Sequence, residues 1–150
     1  MRKGEMLSKM IVFATIGHAD QFDKGGNPYI LHPLKVMYKL KSNDEELNCI
    51  AVGHDLIEDT DTTYEELRNS GISERVIDGI RALTKVPGET LTEYKARVFA
   101  NRDAMLVKQE DLRTNSDLRR LKGVTPKDIE RMTKYQVFYW EIQQKLQEEG

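Results

Sequence analysis

The stretch GHDLIEDT, residues 53–60, sets a core helix against a crowd of charge. Upstream of it, Leu47, Ile50, Ala51 and His54 follow the i, i+3, i+4, i+7 stripe of a helix packed on one face. On a helical wheel with His54 at the origin, Glu58, Asp55 and Asp59 fall at about 40°, 100° and 140°. Three carboxylates then share a face with an imidazole at a helix C-terminus, where the macrodipole already disfavours negative charge. From Asp55 to Glu66 there are six acidic residues and no basic one. A hydrogen-bonded core histidine would account for His54 but not for Asp55, because a buried carboxylate needs compensation. A divalent cation supplies it, and neutral imidazole with carboxylate is an ordinary ligand set.

Working outward, the 150 residues suit one domain with a single core. Charged residues make up 32% and the net charge is −2, so the strongly basic face of a nucleic-acid binder is not expected. No apolar run approaches the ~20 residues of a membrane span, so no membrane partner is expected. The basic start MRKGEMLSKM lacks a cleavage-site pattern and reads as helix rather than signal peptide. The lone Cys49 excludes an internal disulfide and suits a reducing cytoplasm. Hydrophobic periodicity predicts helices near 5–20, 33–41, 44–58, 63–70, 73–84, 92–100, 102–118 and 126–148. Pro33 and Pro126 are expected at first helical positions, with Thr125 as an N-cap. Breaks fall at Gly25-Gly26-Asn27-Pro28, Gly71 and Pro87-Gly88. With no β-alternation of useful length, the expectation is an all-α, single-domain helical bundle spanning 1–150, its oligomeric state open.

Further ligands must come from elsewhere in the chain. His32 stands before Pro33 in NPYILHPLKV, free to point inward or to serve only as a helix-start residue. Asp111 and Asn115 interrupt a stripe shared with Ala104, Val107 and Leu118, and a solvated charged helix does not explain polar residues on the buried side. Lys108 is either a same-face salt-bridge partner of Asp111 or a phosphate contact. His18, on the stripe with Leu7, Ile11 and Ala14, is expected to support the site indirectly. Arg113, Arg119, Arg120 and Lys122 read as a solvated basic edge that could steer an anion.

The order His32, His54-Asp55, Asp111 resembles the H…HD…D signature of the HD phosphohydrolase superfamily. The surrounding text is more specific. HADQFDKGGNPYILHPLKV resembles the opening motif of the Rel/SpoT-type hydrolase domains, and AVGHDLIEDT is similar to their second. ALTK at 82–85 and VKQEDLRTN at 107–115 resemble the third and fourth. The match runs over residues 14 to 115 and leaves no room for a synthetase region, so the resemblance is closest to small alarmone hydrolases that stand alone. It implies metal ligands His32, His54, Asp55 and Asp111, catalytic Glu58 and Asp59, and substrate contacts at Lys24 and Asn115. Where the family usually has arginine before Lys24, stacking on the guanine base, this chain has Asp23. Leu112-Arg113-Thr114 stands where Arg-Leu-His is usual. Both departures bear on base recognition rather than on the metal.

Two imidazoles and two carboxylates leave open positions on an octahedral ion, which suits one Mn²⁺ better than a closed zinc site. Expelling a ribose 3′-alkoxide needs a proton, for which Glu58 is the first choice, with Asp59 orienting it or the water. The expected reaction is hydrolysis of the 3′-pyrophosphate of a guanosine or adenosine alarmone, a small-molecule nucleotide. The alternatives are an HD phosphohydrolase for another phosphorylated nucleotide, motivated by Asp23, and a non-catalytic nucleotide-binding regulator.

Overall fold

A computed structural model describes residues 1–117, 119 and 121–149; Leu118 of the expected stripe and Arg120 of the basic edge lie outside the described residues. The elements run α1 (Glu5–Gly17), α2 (Leu31–Leu40), α3 (Glu45–Gly53), α4 (Leu56–Asp59), α5 (Tyr64–Asn69), α6 (Glu74–Leu83), α7 (Leu91–Phe99), α8 (Arg102–Asn115) and α9 (Pro126–Glu149). Local chemistry sets their starts. Asp44, Ser73, Thr90 and Asn101 each accept from the backbone N–H three residues on, and Thr90 with Glu93 forms a capping box. Thr125 and Asp128 do the same reciprocally at the start of α9. Among the described residues there is no strand, only an isolated bridge between Phe22 and Pro28.

Helix α3 is the axis. Leu47, Cys49, Ile50, Ala51, Val52 and Gly53 are all buried, and α1, α2, α6 and α8 pack around it. Burial pushes the Cys49 thiol up to about 12, which makes it an inert filler. Among the described residues no helix is long and apolar enough to cross a membrane.

Four boundaries differ from the sequence expectation, and the first three shape the site. The helix expected over 44–58 breaks after Gly53 and resumes as the single turn α4. Helix α1 stops at Gly17, so His18 caps it instead of continuing it. Helix α2 begins at Leu31, two residues before Pro33, which places His32 inside the first turn. Helix α8 likewise ends at Asn115 rather than running to 118.

Gly79 is a close approach between α3 and α6 in the core. A Cβ there would lie 2.5 Å from Ile50 Cδ1 and 2.9 Å from its Cγ1, in a side chain with no exposure and a stiff χ1. Gly79→Ala gains helix propensity of about 1 kcal/mol and meets overpacking of about 1–3 kcal/mol. The expected outcome is a net loss of about 1 kcal/mol in denaturant unfolding; equal or greater stability than the parent would show that α3 and α6 can move apart freely.

Candidate metal and catalytic site

The break after Gly53 builds the site. A Cβ on Gly53 would sit 2.2 Å from Met10 Cε and 3.0 Å from Ile80 Cδ1, so α3 ends wedged between α1 and α6. The chain then turns at His54 and Asp55 before α4 begins. On an unbroken helix Glu58 would be the carboxylate nearest His54. The turn substitutes Asp55, whose Oδ2 comes to 3.1 Å from His54 Nε2.

His54 is 4% exposed. Its Nδ1 donates to the Ala51 carbonyl at 2.6 Å. A carbonyl only accepts, so Nδ1 carries the proton and Nε2 faces inward. That Nε2 is buried without a hydrogen-bond partner and lies 3.1 Å from Asp55 and 3.4 Å from Asp111 Oδ1. A lone pair aimed at two carboxylate oxygens is repulsive unless a cation intervenes. Where the cation is a proton, burial opposes it, but Asp55 and then Asp111 override burial and raise the His54 pKa well above its ordinary value.

The other candidates converge on the same point. His32 Nε2 lies 2.7 Å from Asp111 Oδ1. Asp111, 5% exposed, takes Lys108 Nζ on its other oxygen at 3.0 Å and the Asn115 amide at 3.1 Å. Burial would keep its carboxyl neutral, yet Lys108 and the two imidazoles hold it well below the usual range. Of the two roles open to Lys108, the geometry favours the salt bridge, since its ammonium is spent on Asp111. His32, His54 and Asp55 offer ligand atoms all within 4.8 Å of one another. Donor atoms around one small octahedral ion sit about 3 Å apart, so the donor set fits a divalent cation.

Asp55, Glu58 and Asp59 form an adjoining group, also within 4.8 Å. Glu58 is exposed, and its Oε1 accepts the Lys85 backbone N–H at 2.8 Å. The ALTK segment therefore docks its backbone on the candidate proton donor. Burial, then Asp55 and Glu58, raise the Asp59 carboxyl above its ordinary value. His18 Nδ1 donates to Gln21 Oε1 at 2.7 Å, and Gln21 Nε2 donates to the Asp59 carbonyl at 2.8 Å. The first motif thus holds α4 from the other side. Lys24 is exposed on the following turn and does not line the cavity beside His32, whereas Asp23 does. The Asp23 carboxylate accepts the Gly25 and Asn27 N–H groups at 2.8 and 2.9 Å and so closes that turn.

Tyr29 escaped the sequence reading. Its hydroxyl donates to Asp55 Oδ2, and burial, then Asp55, holds it protonated far above the usual tyrosine range. The only sequence signal was its place between Pro28 and His32. Tyr29→Phe should weaken divalent-metal affinity about 10–100-fold, the usual consequence of removing a hydrogen bond to a ligand. Asp55→Asn should empty the site altogether. Elemental analysis after dialysis measures both, and full occupancy in the Asp55 variant would remove it from the ligand set.

No family model matches the chain. Among curated proteins, it is 39% identical over 112 residues to the guanosine-3′,5′-bis(diphosphate) 3′-pyrophosphohydrolase of Aquifex aeolicus, a match covering 73% of this chain and 16% of that protein. The chain thus spans about a sixth of that relative. A solved structure described as a metazoan ortholog of SpoT that hydrolyzes ppGpp superposes with a TM-score of 0.75 at 24% identity, covering 97% of this chain and 88% of that one, and shares its fold. Guanosine-3′,5′-bis(diphosphate) 3′-pyrophosphohydrolase MESH1 of Danio rerio is 31% identical over 92% of this chain and 81% of its own length. On that match along nearly the whole of both proteins, the chain belongs to the guanosine-3′,5′-bis(diphosphate) 3′-pyrophosphohydrolase family.

Proposed function

We propose that the chain is a metal-dependent phosphohydrolase that removes the 3′-pyrophosphate of an alarmone nucleotide, (pp)pGpp or (pp)pApp, and releases pyrophosphate. One observation carries the reading: the inward Nε2 of His54 lies between Asp55 and Asp111, next to the exposed Glu58–Asp59 pair. The names of the relatives support the same chemistry.

The residues that would hold the divalent ion, a single Mn²⁺ in this reading, are His32, His54, Asp55 and Asp111. When bound, the ion lowers the pKa of a water and polarises a phosphoryl oxygen. Glu58 supplies the proton to the departing 3′-oxygen. Its Oε1 is anchored by the Lys85 N–H, which leaves Oε2 to carry that proton. Asp59, whose carboxyl is raised, orients Glu58 or the attacking water. Asn115 both steadies Asp111 and lines the cavity beside His32, where it can hold the sugar or base. Lys108 acts through Asp111, and Lys24 is left to meet substrate from the exposed turn. The cytoplasm is the setting that the lone buried thiol suits.

Asp23 favours a second reading, a related phosphohydrolase with another phosphorylated nucleotide as substrate, because its carboxylate lines the cavity where the family usually has an arginine. Purified chain with Mn²⁺ should release pyrophosphate from (pp)pGpp or (pp)pApp and leave NADPH and nucleoside monophosphates intact. Turnover confined to the latter selects the second reading, and a metal-loaded chain inert towards all of them removes both. Glu58→Gln should retain its metal and lose roughly 10²–10⁴ in kcat, the span of general acid–base catalysis. Loss of metal with unchanged turnover after reconstitution would instead make Glu58 a ligand.

A further inference from the structure

Two cavities adjoin the cluster, and they differ in charge. The larger, about 960 Å³, lies between α1 and α5 and is rimmed by Glu5, Asp59, Asp61 and Glu66 against one lysine, Lys9. The smaller, about 640 Å³, runs along α2 from His32 and Asn115 and is rimmed by Lys35, Lys39 and Lys41 against one carboxylate, Asp23. In a chain of net charge −2, this is a local reversal of sign at the mouth of a cavity whose inner wall includes a metal-ligand candidate.

The arrangement follows from helix periodicity. His32, Lys35 and Lys39 sit at i, i+3 and i+7 and share one face of α2, while Leu31, Leu34 and Tyr38 form the neighbouring stripe. Lys39 lies about 10 Å along the axis from His32 at 1.5 Å per residue. Tyr38 is 73% exposed. The cavity thus offers an imidazole and an amide at one end, an aromatic and aliphatic wall between, and ammonium groups at the other end.

The three lysines are lightly employed within the fold, Lys39 lending its charge to Asp117. Among the described residues, Lys35, Lys39 and Lys41 make no salt bridge and no side-chain hydrogen bond. Several cations elsewhere are committed, Arg75 to Asp44 and Asp103, Arg97 to Glu89 and Lys95 to Glu141. A favourable helix dipole accounts for Lys39 and Lys41 near the C-terminus of α2, but not for Lys35 in its middle.

We infer that Lys35, Lys39 and Lys41 form a second anionic subsite that takes the phosphate at the 5′ end of a nucleotide whose 3′ phosphate lies at the His32–Asp111 end. The ligand class is a nucleotide phosphorylated at both ends, with sugar and base against Tyr38 and the leucines. The inference rests on this cavity being the nucleotide site of the proposed function, and it adds what that reading leaves open: how a substrate with one phosphate group is told from a substrate with two. Asp23, held in its turn by the Gly25 and Asn27 N–H groups, lines the same cavity from the first-motif loop, where it would repel a phosphate placed beside it.

The test is calorimetric binding to the full chain in Mn²⁺ buffer, with guanosine 3′,5′-bisphosphate and guanosine 3′-phosphate as probes. The parent should prefer the bisphosphate by tenfold or more, and the preference should fall steeply with added salt. The triple variant K35Q/K39Q/K41Q should reduce that preference to below twofold while holding 3′-phosphate affinity within about twofold. A variant with the same charge change on exposed lysines away from the cavity, K3Q/K127Q/K134Q, should keep the parental preference. Equal binding of both probes by the parent, binding of neither, or an undiminished preference in the triple variant overturns the inference. Turnover is read separately: a chain that discriminates the probes but cleaves no 3′-pyrophosphate keeps the subsite and loses the proposed reaction. A chain that cleaves but ignores the lysines does the reverse.

Discussion

Everything in the site depends on the hydrogen bond from His54 Nδ1 to the Ala51 carbonyl. A C-terminal helix carbonyl is an orphan acceptor, and here the side chain three residues on satisfies it. The bond fixes the tautomer, aims Nε2 at Asp55 and Asp111, and does so at 4% exposure, where water cannot relieve the repulsion. From that one donor follows the requirement for a cation. The requirement answers the puzzle of the acidic run: the repulsion among its carboxylates is large only while the centre is empty of positive charge.

The carboxylates are not equivalent, and their environments separate them. Asp111 is buried and Asp55 half-buried, and both are surrounded by donors, from Tyr29, Lys108, Asn115 and the imidazoles, so they stay ionised. Glu58 is exposed and Asp59 only partly covered, and that partial covering, with like charge from Asp55 and Glu58, pushes Asp59 towards its neutral form. Ionised groups suit ligation, and groups that can carry a proton suit transfer. The broken helix creates this division. It places Asp55 against His54 and sends Glu58 out to the Lys85 backbone, where an unbroken helix would have exchanged the two.

The helices, the cap at Thr125 and the buried stripe of α3 were legible because periodicity and capping chemistry are local. His54 and Asp111 were legible as polar residues on apolar faces, His32 and Asp55 through their place in motifs that resemble a known family's, and the structure brings the four together. The break at Gly53 was not, because a glycine at a helix end looks like a glycine within a helix until Met10 and Ile80 are known to press on it. Tyr29 was missed for a related reason: its partner lies 26 positions away, and nothing in PYILHP marks a tyrosine that donates to a ligand. The docking of Lys85 on Glu58 uses a backbone N–H, which carries no side-chain signature at all.

Asp23 shows how a departure from a family's usual residue can be absorbed by local structure. An arginine before Lys24 could stack a planar cation on a purine. The carboxylate here is instead turned back on its own loop, accepting from Gly25 and Asn27, so its charge is partly spent before a ligand arrives. The cationic partner for substrate is then needed from another element, and α2 provides lysines on the wall that faces the cavity. With a carboxylate on the first-motif loop and Lys35, Lys39 and Lys41 on α2, the positive charge around this cavity sits on the helix and not on the loop. On the proposed reading, lysines carried by a packed helix, with a carboxylate in place of an arginine on the glycine-rich turn, favour recognition of phosphate position over recognition of the base.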